Sequence, residues 1–363
     1  MTDHASQSRF HALDSWRGIA ALCIAISHFS MIATSHIYAM HMARRNMELF
    51  LDFSFVLSGF VVSHTYRAKL NDYSDLKFFA LRRLARLWPL HMAMLAILVL
   101  LNLAWLMVKH PAFQYPDTWK TLVENILLLQ AFTAPNYSWD GQSIYISVAW
   151  WTYLIFGAGF VLVPRKHAST CALVILLGAA LKLLVFSLYF HQTFVSQWLA
   201  RSLFGFFTGQ CAYFLWRKKT APTLGAATMT MAECMVVLVI VLIIGFEQAD
   251  DPIFLLTAPA FGALIWIFSE ERGAISRMLL HPLPRLLGRL SYSIFLTHTL
   301  VVAVLGSVLR HHAPGMAENR WAGDVLLPIY LAMTVCVSWC TFRWIEKPGA
   351  RIFGRRAAPH LPT

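Results

Sequence analysis

The chain has 363 residues, of which 58% are hydrophobic and 13% charged, with a formal net charge of +12 and a mean hydropathy of +0.57. A soluble domain carries about a quarter charged residues, so the composition excludes a soluble enzyme, and apolar runs of about 20 residues recurring from end to end exclude one with a single anchor. The basic residues are spread over short loops and form no single polar domain, which argues against a nucleic-acid partner.

The expected fold class is all-α: a polytopic membrane protein of about ten transmembrane helices. The spans are read at 13–34, 48–66, 86–108, 145–163, 169–188, 197–216, 229–246, 253–269, 290–310 and 325–345. The stretch 121–134 (TLVENILLLQAFTA) is apolar but too short to cross, and is read as a re-entrant or interfacial helix. The start MTDHASQSRFHALD is not read as a cleavable signal, because an arginine interrupts the apolar run and no small-residue cleavage site follows. Residues 1–363 are taken as one transmembrane domain, with 1–12 and 354–363 as short cytoplasmic tails.

Loop charges orient this topology. One set carries Arg67, Lys69, Lys77, Arg82, Arg83 and Arg86, then Arg165 and Lys166, then Arg217, Lys218 and Lys219, then Arg272, Arg277, Arg285 and Arg289, then Lys347, Arg351, Arg355 and Arg356. The opposite loops are poorer in basic residues and include FEQADD at 246–251, with Arg44 and Arg45 as the main exceptions. The positive-inside rule then places both termini in the cytoplasm. The six cysteines, Cys23, Cys171, Cys211, Cys234, Cys336 and Cys340, all fall in apolar spans and read as small hydrophobes. No His or Cys cluster has metal spacing, so no metal is expected.

The first span contains Arg17 and His28. Eleven positions are about three helical turns, so both side chains fall on nearly one face, about 16 Å apart along the axis. Each alone reads blandly, the arginine snorkelling to headgroups and the histidine packing against a neighbour. Together on one span they read as functional, since ionisable groups at such depth normally face a protein or water interior, and an imidazole can act as a base near neutral pH. In the second span, DFSFVLSGF (52–60) offers Ser58 as a pocket residue, with glycine-mediated packing as the simpler account of Ser58-Gly59. Asp52 reads as a loop carboxylate or an acceptor-side group. LRRLARLWPLH (81–91) opens the third span; Arg83 and Arg86 share a helix face and suit a phosphate clamp beside Arg17, although positive-inside placement also explains basic residues there.

In SWDGQSIYISVAWWTYLIFG (138–157) a polar, aromatic loop runs straight into a span. Such loops at membrane depth survive where they line a cavity or pack on protein. Ser147, Trp151 and Tyr153 are candidate pocket residues, with an interfacial aromatic belt as the alternative. LGRLSYSIFLTHTLVV (287–302) adds Tyr292 and His298, the latter equally a helix–helix hydrogen bonder. FRWIEKPGAR (342–351) looks like a helix end stopped by Pro348. Lys182, Arg201 and Glu233 are assigned to packing or snorkelling.

These pieces, in this order, resemble the membrane-bound acyltransferase family 3, the O-acyltransferases of bacterial cell-surface glycans. Arg17 and His28 match its Arg, ten residues, His signature, and Arg83 and Arg86 match its Arg-x-x-Arg. The FFVLSGF run matches with Ser54 in place of a Phe. Ser291 to His298 match its SYS-x-aromatic-L-x-H piece, and Trp344 to Pro348 its aromatic-IEKP end. The family's WSISVEWW reads IYISVAWW here, so Ala149 stands at the glutamate position, with Ile144 and Tyr145 replacing Trp-Ser.

The resemblance implies a short-type enzyme of the bacterial inner membrane that moves an acyl group, acetyl by default, from cytoplasmic acyl-CoA to a hydroxyl of an extracytoplasmic or lipid-linked saccharide. It carries no permanently bound cofactor. Membrane lipids surround it, Arg17, Arg83 and Arg86 hold the CoA phosphates, and His28 acts as base, with the family glutamate orienting it. Ala149 marks a disabled version, a natural variant with another partner, or an inactive homologue; an engineered Glu-to-Ala change is preferred because the flanking sequence is intact. A sugar or lipid transporter and a binding-only scaffold are the rival classes.

Overall fold

The computed structural model describes residues 10–36, 46–67, 69–107, 118–133, 139–162, 178, 197–218, 225–246 and 255–357, and among them the secondary structure is helical throughout. The α-helices are α1 (His11–His28), α2 (Phe50–Tyr66), α3 (Tyr73–Met107), α4 (Trp119–Ile126), α5 (Ser143–Leu162), α6 (Gln197–Arg217), α7 (Ala226–Phe246), α8 (Thr257–Phe268), α9 (Ala274–Leu279), α10 (Pro282–His312), α11 (Pro314–Glu318), α12 (Arg320–Thr341) and α13 (Lys347–Ala357). A π-helical turn, Phe342–Glu346, joins α12 to α13.

Six described segments are long and apolar enough to cross a membrane: Met47–Tyr66, Tyr73–Trp105, Ser143–Val161, Ala226–Gly245, Pro282–His312 and Arg320–Phe353. They coincide with six of the ten expected spans. Spans 13–34 and 197–216 fold as α1 and α6 but fall outside those six. Span 253–269 holds only the 12-residue α8, about 18 Å long, and 169–188 lies outside the described residues apart from Gly178. The stretch 121–134 contains the eight-residue α4, opened by a reciprocal cap between Thr118 and Thr121, and then turns at Leu128 with φ 55°. It is too short to cross.

The centre of the bundle is α1, which packs along α10 and against α2. Its N-terminal amide at Ala12 is capped from afar by Glu271 Oε1, at 2.8 Å. Small residues set the spacing. A Cβ at Gly18 would strike the backbone of Leu287 and Gly288, and one at Gly288 the carbonyl of Asp14. Gly59 and Gly209 play the same part between α2 and α6, against the carbonyls of Phe206 and Val56. In lipid the hydrophobic effect does not drive helices together, so this close backbone approach is what binds them.

Two buried charges that read as packing or snorkelling have defined partners. Arg201 of α6 forks onto Asp52 of α2, Nε to Oδ1 at 2.6 Å and Nη2 to Oδ2 at 3.0 Å, and Thr257 of α8 donates to the same carboxylate at 3.2 Å. Asp52 is therefore an interhelical ion-pair partner within α2 and not a loop carboxylate. Glu233 of α7 accepts the amides of Gly273 at 3.0 Å, Ile275 at 2.9 Å and Ser276 at 3.2 Å, capping α9.

Candidate active site

A cavity of about 170 Å³ lies among α1, α2, α3, α5 and α10. Arg17, Arg83 and Arg86 line it together with Ser58, Ala149, Tyr153 and Tyr292. Seven residues singled out from separate motifs thus share one space. The fold explains why: α1 and α10 lie side by side, and α3 and α5 close the bundle around them.

Arg83 is held by aromatic rings. Its guanidinium carbon lies 4.9 Å from the centre of Tyr66, 5.3 Å from Tyr153 and 5.7 Å from Phe79. Rings shield the faces of the planar cation, and its buried Nε–H meets no acceptor. A guanidinium so held offers edge donors to a forked acceptor such as a phosphate. Arg17 pairs loosely with Asp14, at 3.6 Å. Glu346 lies within electrostatic range of Arg86 and Arg17, and Ser293 fixes its carboxylate with a 2.5 Å hydrogen bond. Tyr153 donates to Ser58 Oγ at 3.2 Å, and Tyr292 to the Leu87 carbonyl at 2.5 Å.

His28, 8% exposed, ends α1 and does not line this cavity. Ile24, one turn earlier, does, as does Phe295. The imidazole Nδ1 lies 2.9 Å from the Ile24 carbonyl and 3.1 Å from Ser27 Oγ, which places the proton on Nδ1. The other nitrogen, Nε2, then carries the basic lone pair. It accepts from the Gln142 side-chain amide at 2.9 Å. The His298 ring, fully buried, lies 5.0 Å from the His28 ring, centre to centre.

Ser147 and Trp151, expected in the pocket, point elsewhere. Ser147 Oγ donates to the Leu128 carbonyl at 2.6 Å and accepts from the Ala131 amide at 2.9 Å. Trp151 donates to the same Leu128 carbonyl at 2.7 Å. The turn after α4 leaves backbone groups without helical partners, and α5 satisfies them; these two residues anchor that turn and are absent from the cavity wall. Two unforeseen residues lie on the turn before α5 instead: Gln142, which is hydrogen-bonded to His28, and Asp140, which is 2% exposed. Asp140 Oδ1 accepts the Gln142 backbone amide at 3.3 Å, and burial pushes the Asp140 carboxyl up to about 7. The signal for both was the polar SWDGQS run before an apolar helix. Among the described residues no group of His, Cys, Asp and Glu has metal-holding geometry.

Comparison with known proteins places this geometry in context. A family model described as "Acyltransferase domain" matches residues 10–343. The peptidoglycan O-acetyltransferase OatA of Listeria monocytogenes is 24% identical over 328 residues, 82% of this chain and 50% of that protein. "Protein 2 in picA locus" of Rhizobium radiobacter is 36% identical over 91 residues, 25% of this chain and 44% of that protein. The chain spans about half the length of the curated relatives it matches. No solved structure matches it.

Proposed function

We infer the reaction of this chain from its family: it belongs to the acyltransferase family whose domain covers residues 10–343. It is a membrane protein of several spans. Our reading is an O-acyltransferase of the bacterial inner membrane, both termini cytoplasmic, that moves an acyl group from acyl-CoA to a hydroxyl of an extracytoplasmic or lipid-linked saccharide. Acetyl is the preferred group. A relative named as a peptidoglycan O-acetyltransferase supports the saccharide acceptor.

The observation that carries the reading is the convergence of Arg17, Arg83 and Arg86 in one cavity that reaches Ile24, one turn below His28. The arginines hold the CoA phosphates at the inner mouth. The pantetheine arm then runs along α1, where Arg17 and His28 are about 16 Å apart. Ile24, whose carbonyl meets His28 Nδ1, and Phe295, whose ring lies 6.1 Å from that of His298, both line the cavity. The acceptor hydroxyl replaces the Gln142 amide at His28 Nε2 and gives that nitrogen its proton. Its oxygen bonds to the thioester carbonyl carbon, the C–S bond breaks, and the CoA thiolate takes the proton back from His28.

Ala149 faces the cavity that Arg17 and Arg86 line. It lies about 9 Å along α5 from Ser143, the end of that helix nearest His28. A glutamate there would share the cavity with the arginines, and in this chain Gln142 is hydrogen-bonded to His28 Nε2. We read Ala149 as a loss of the carboxylate that this cavity works with.

Binding of acetyl-CoA to the purified chain in detergent, competed by free CoA, tests the donor side; a transporter of sugars or lipids would be indifferent to both. Ala149→Glu is expected to raise acyl transfer at least tenfold, and unchanged transfer would remove the disabled-variant reading. In that restored background, His28→Ala is expected to abolish transfer to glycan while acetyl-CoA still binds. Full transfer without the imidazole would end its role as base.

A further inference from the structure

Beside His28, and on the turn that carries its partner Gln142, the structure holds buried hydrogen-bonding atoms without a partner. His298 Nδ1 lies 3.2 Å from the Ile294 carbonyl and so carries the ring proton, leaving Nε2 as a bare acceptor without a partner. Gln142 uses its amide nitrogen on His28, and its Oε1 has no partner. Asp140 uses Oδ1 on the Gln142 backbone, and its Oδ2 has no partner. All three residues are more than nine-tenths buried, and none lines the cationic cavity.

The turn that carries two of them is firmly held. Trp139, at φ 60°, donates its indole N–H to the Thr118 carbonyl and Thr121 Oγ1, both at 3.1 Å. Ser143 Oγ donates to the Asp140 carbonyl at 2.7 Å and is itself met by Gln130 at 2.9 Å. A buried polar atom left unpaired costs about 1–3 kcal/mol, so two of them on residues that touch one imidazole, with a third on the same short turn as Gln142, call for a common partner.

The sign of the unmet groups defines that partner. Gln142 Oε1 and His298 Nε2 are acceptors, and Asp140 Oδ2 joins them when ionised, so the ligand must bring donors. A phosphate or carboxylate would add acceptors and be repelled; an apolar chain would supply nothing. Several O–H groups on a small neutral frame fit, which is what adjacent hydroxyls of a sugar ring provide. We propose that Asp140, Gln142 and His298 form a subsite that holds the hydroxyls of a neutral saccharide against His28 Nε2.

This inference rests on the acyl-transfer reading and names where its acceptor binds. The reacting hydroxyl takes the place of the Gln142 amide on Nε2, and the freed carboxamide engages a neighbouring hydroxyl. Asp140 Oδ2 and His298 Nε2 accept from two more. The Asp140 carboxyl suits this in either state, since ionised it accepts from a hydroxyl and protonated it donates to one.

The test uses the purified full chain in detergent and diethyl pyrocarbonate, which modifies imidazole nitrogens, with the modified histidines mapped by mass spectrometry. Millimolar chitotetraose, cellotetraose and sucrose serve as neutral probes. At least one sugar is expected to slow modification of His28 and His298 threefold or more, while free CoA leaves His298 unprotected. Asp140→Leu, and separately Gln142→Leu, are expected to remove the sugar protection with CoA affinity held within twofold, which also reports that each variant is folded. Absence of protection by all three sugars in a chain that binds CoA would overturn the subsite, as would protection that survives both substitutions. Failure to bind CoA would instead strike the donor reading, and sugar protection would still decide the subsite.

Discussion

The two ends of α1 carry opposite hydrogen-bonding chemistry. At the Arg17 end the cavity is lined by three guanidiniums, which hold only donors. At the His28 end the unmet groups are Gln142 Oε1 and His298 Nε2, both acceptors, and Asp140 Oδ2, an acceptor when ionised. One end fits an acceptor-rich, anionic ligand, and the other a donor-rich, neutral one. Charge alone would separate the two ends as cationic and uncharged. The direction of the unmet hydrogen bonds goes further and gives each end its ligand class.

The largest effect should come from erasing the donor end. Replacing both Arg83 and Arg86 by Met is expected to weaken CoA binding about 100-fold, since each charged hydrogen bond contributes about 1.5–3 kcal/mol. Sugar protection at His298 should be unchanged. Titration of CoA against both proteins in detergent checks this, and equal affinity would show that the guanidiniums face each other without holding phosphate. Raising the salt concentration should narrow the difference, because Arg86 is exposed and its charge is screened.

A smaller effect is expected at the boundary. Phe295 lines the cavity, and its ring lies 6.0 Å from Tyr145 and 6.1 Å from His298. Phe295→Ala should merge the two ends and let water reach the thioester, raising acetyl-CoA hydrolysis about fivefold with no acceptor present. A hydrolysis rate equal to the parent's would mean that the ring is not what divides them.

Sequence reasoning reached the donor end and missed much of the other, for a physical reason. Arg17, Arg83, Arg86, Ser58, Ala149 and Tyr292 sit on regular helices, where spacing fixes the face and a charge in an apolar run stands out. Asp140 and Gln142 sit in a turn, which has no periodicity to read. The Arg201–Asp52 pair joins residues 149 apart, beyond any local pattern. Ser147 and Trp151 share α5 with Ala149, but they serve the turn at Leu128, a need invisible until that turn is seen. Six segments were legible as membrane-crossing helices because length and hydropathy suffice for them. The 12-residue α8 shows where that criterion stops.

The smallest effect, a pH dependence, separates the ends most directly. Guanidiniums stay charged across the working range of pH, so the three arginines give the inner end a fixed positive charge. Asp140 titrates: burial raises its carboxyl from an ordinary 3.8 to about 7. A folded-state value above the unfolded one means that the folded chain binds the proton more tightly. The stability this contributes is full below about pH 4 and is lost as pH rises through about 7. Thermal unfolding in detergent should therefore show the parent losing about 3 °C more than Asp140→Asn between pH 5 and pH 8. Parallel profiles would mean that the carboxyl is ionised throughout, and the outer end would then carry a fixed negative charge suited to an amine. A widening gap fits a neutral chamber and a hydroxyl.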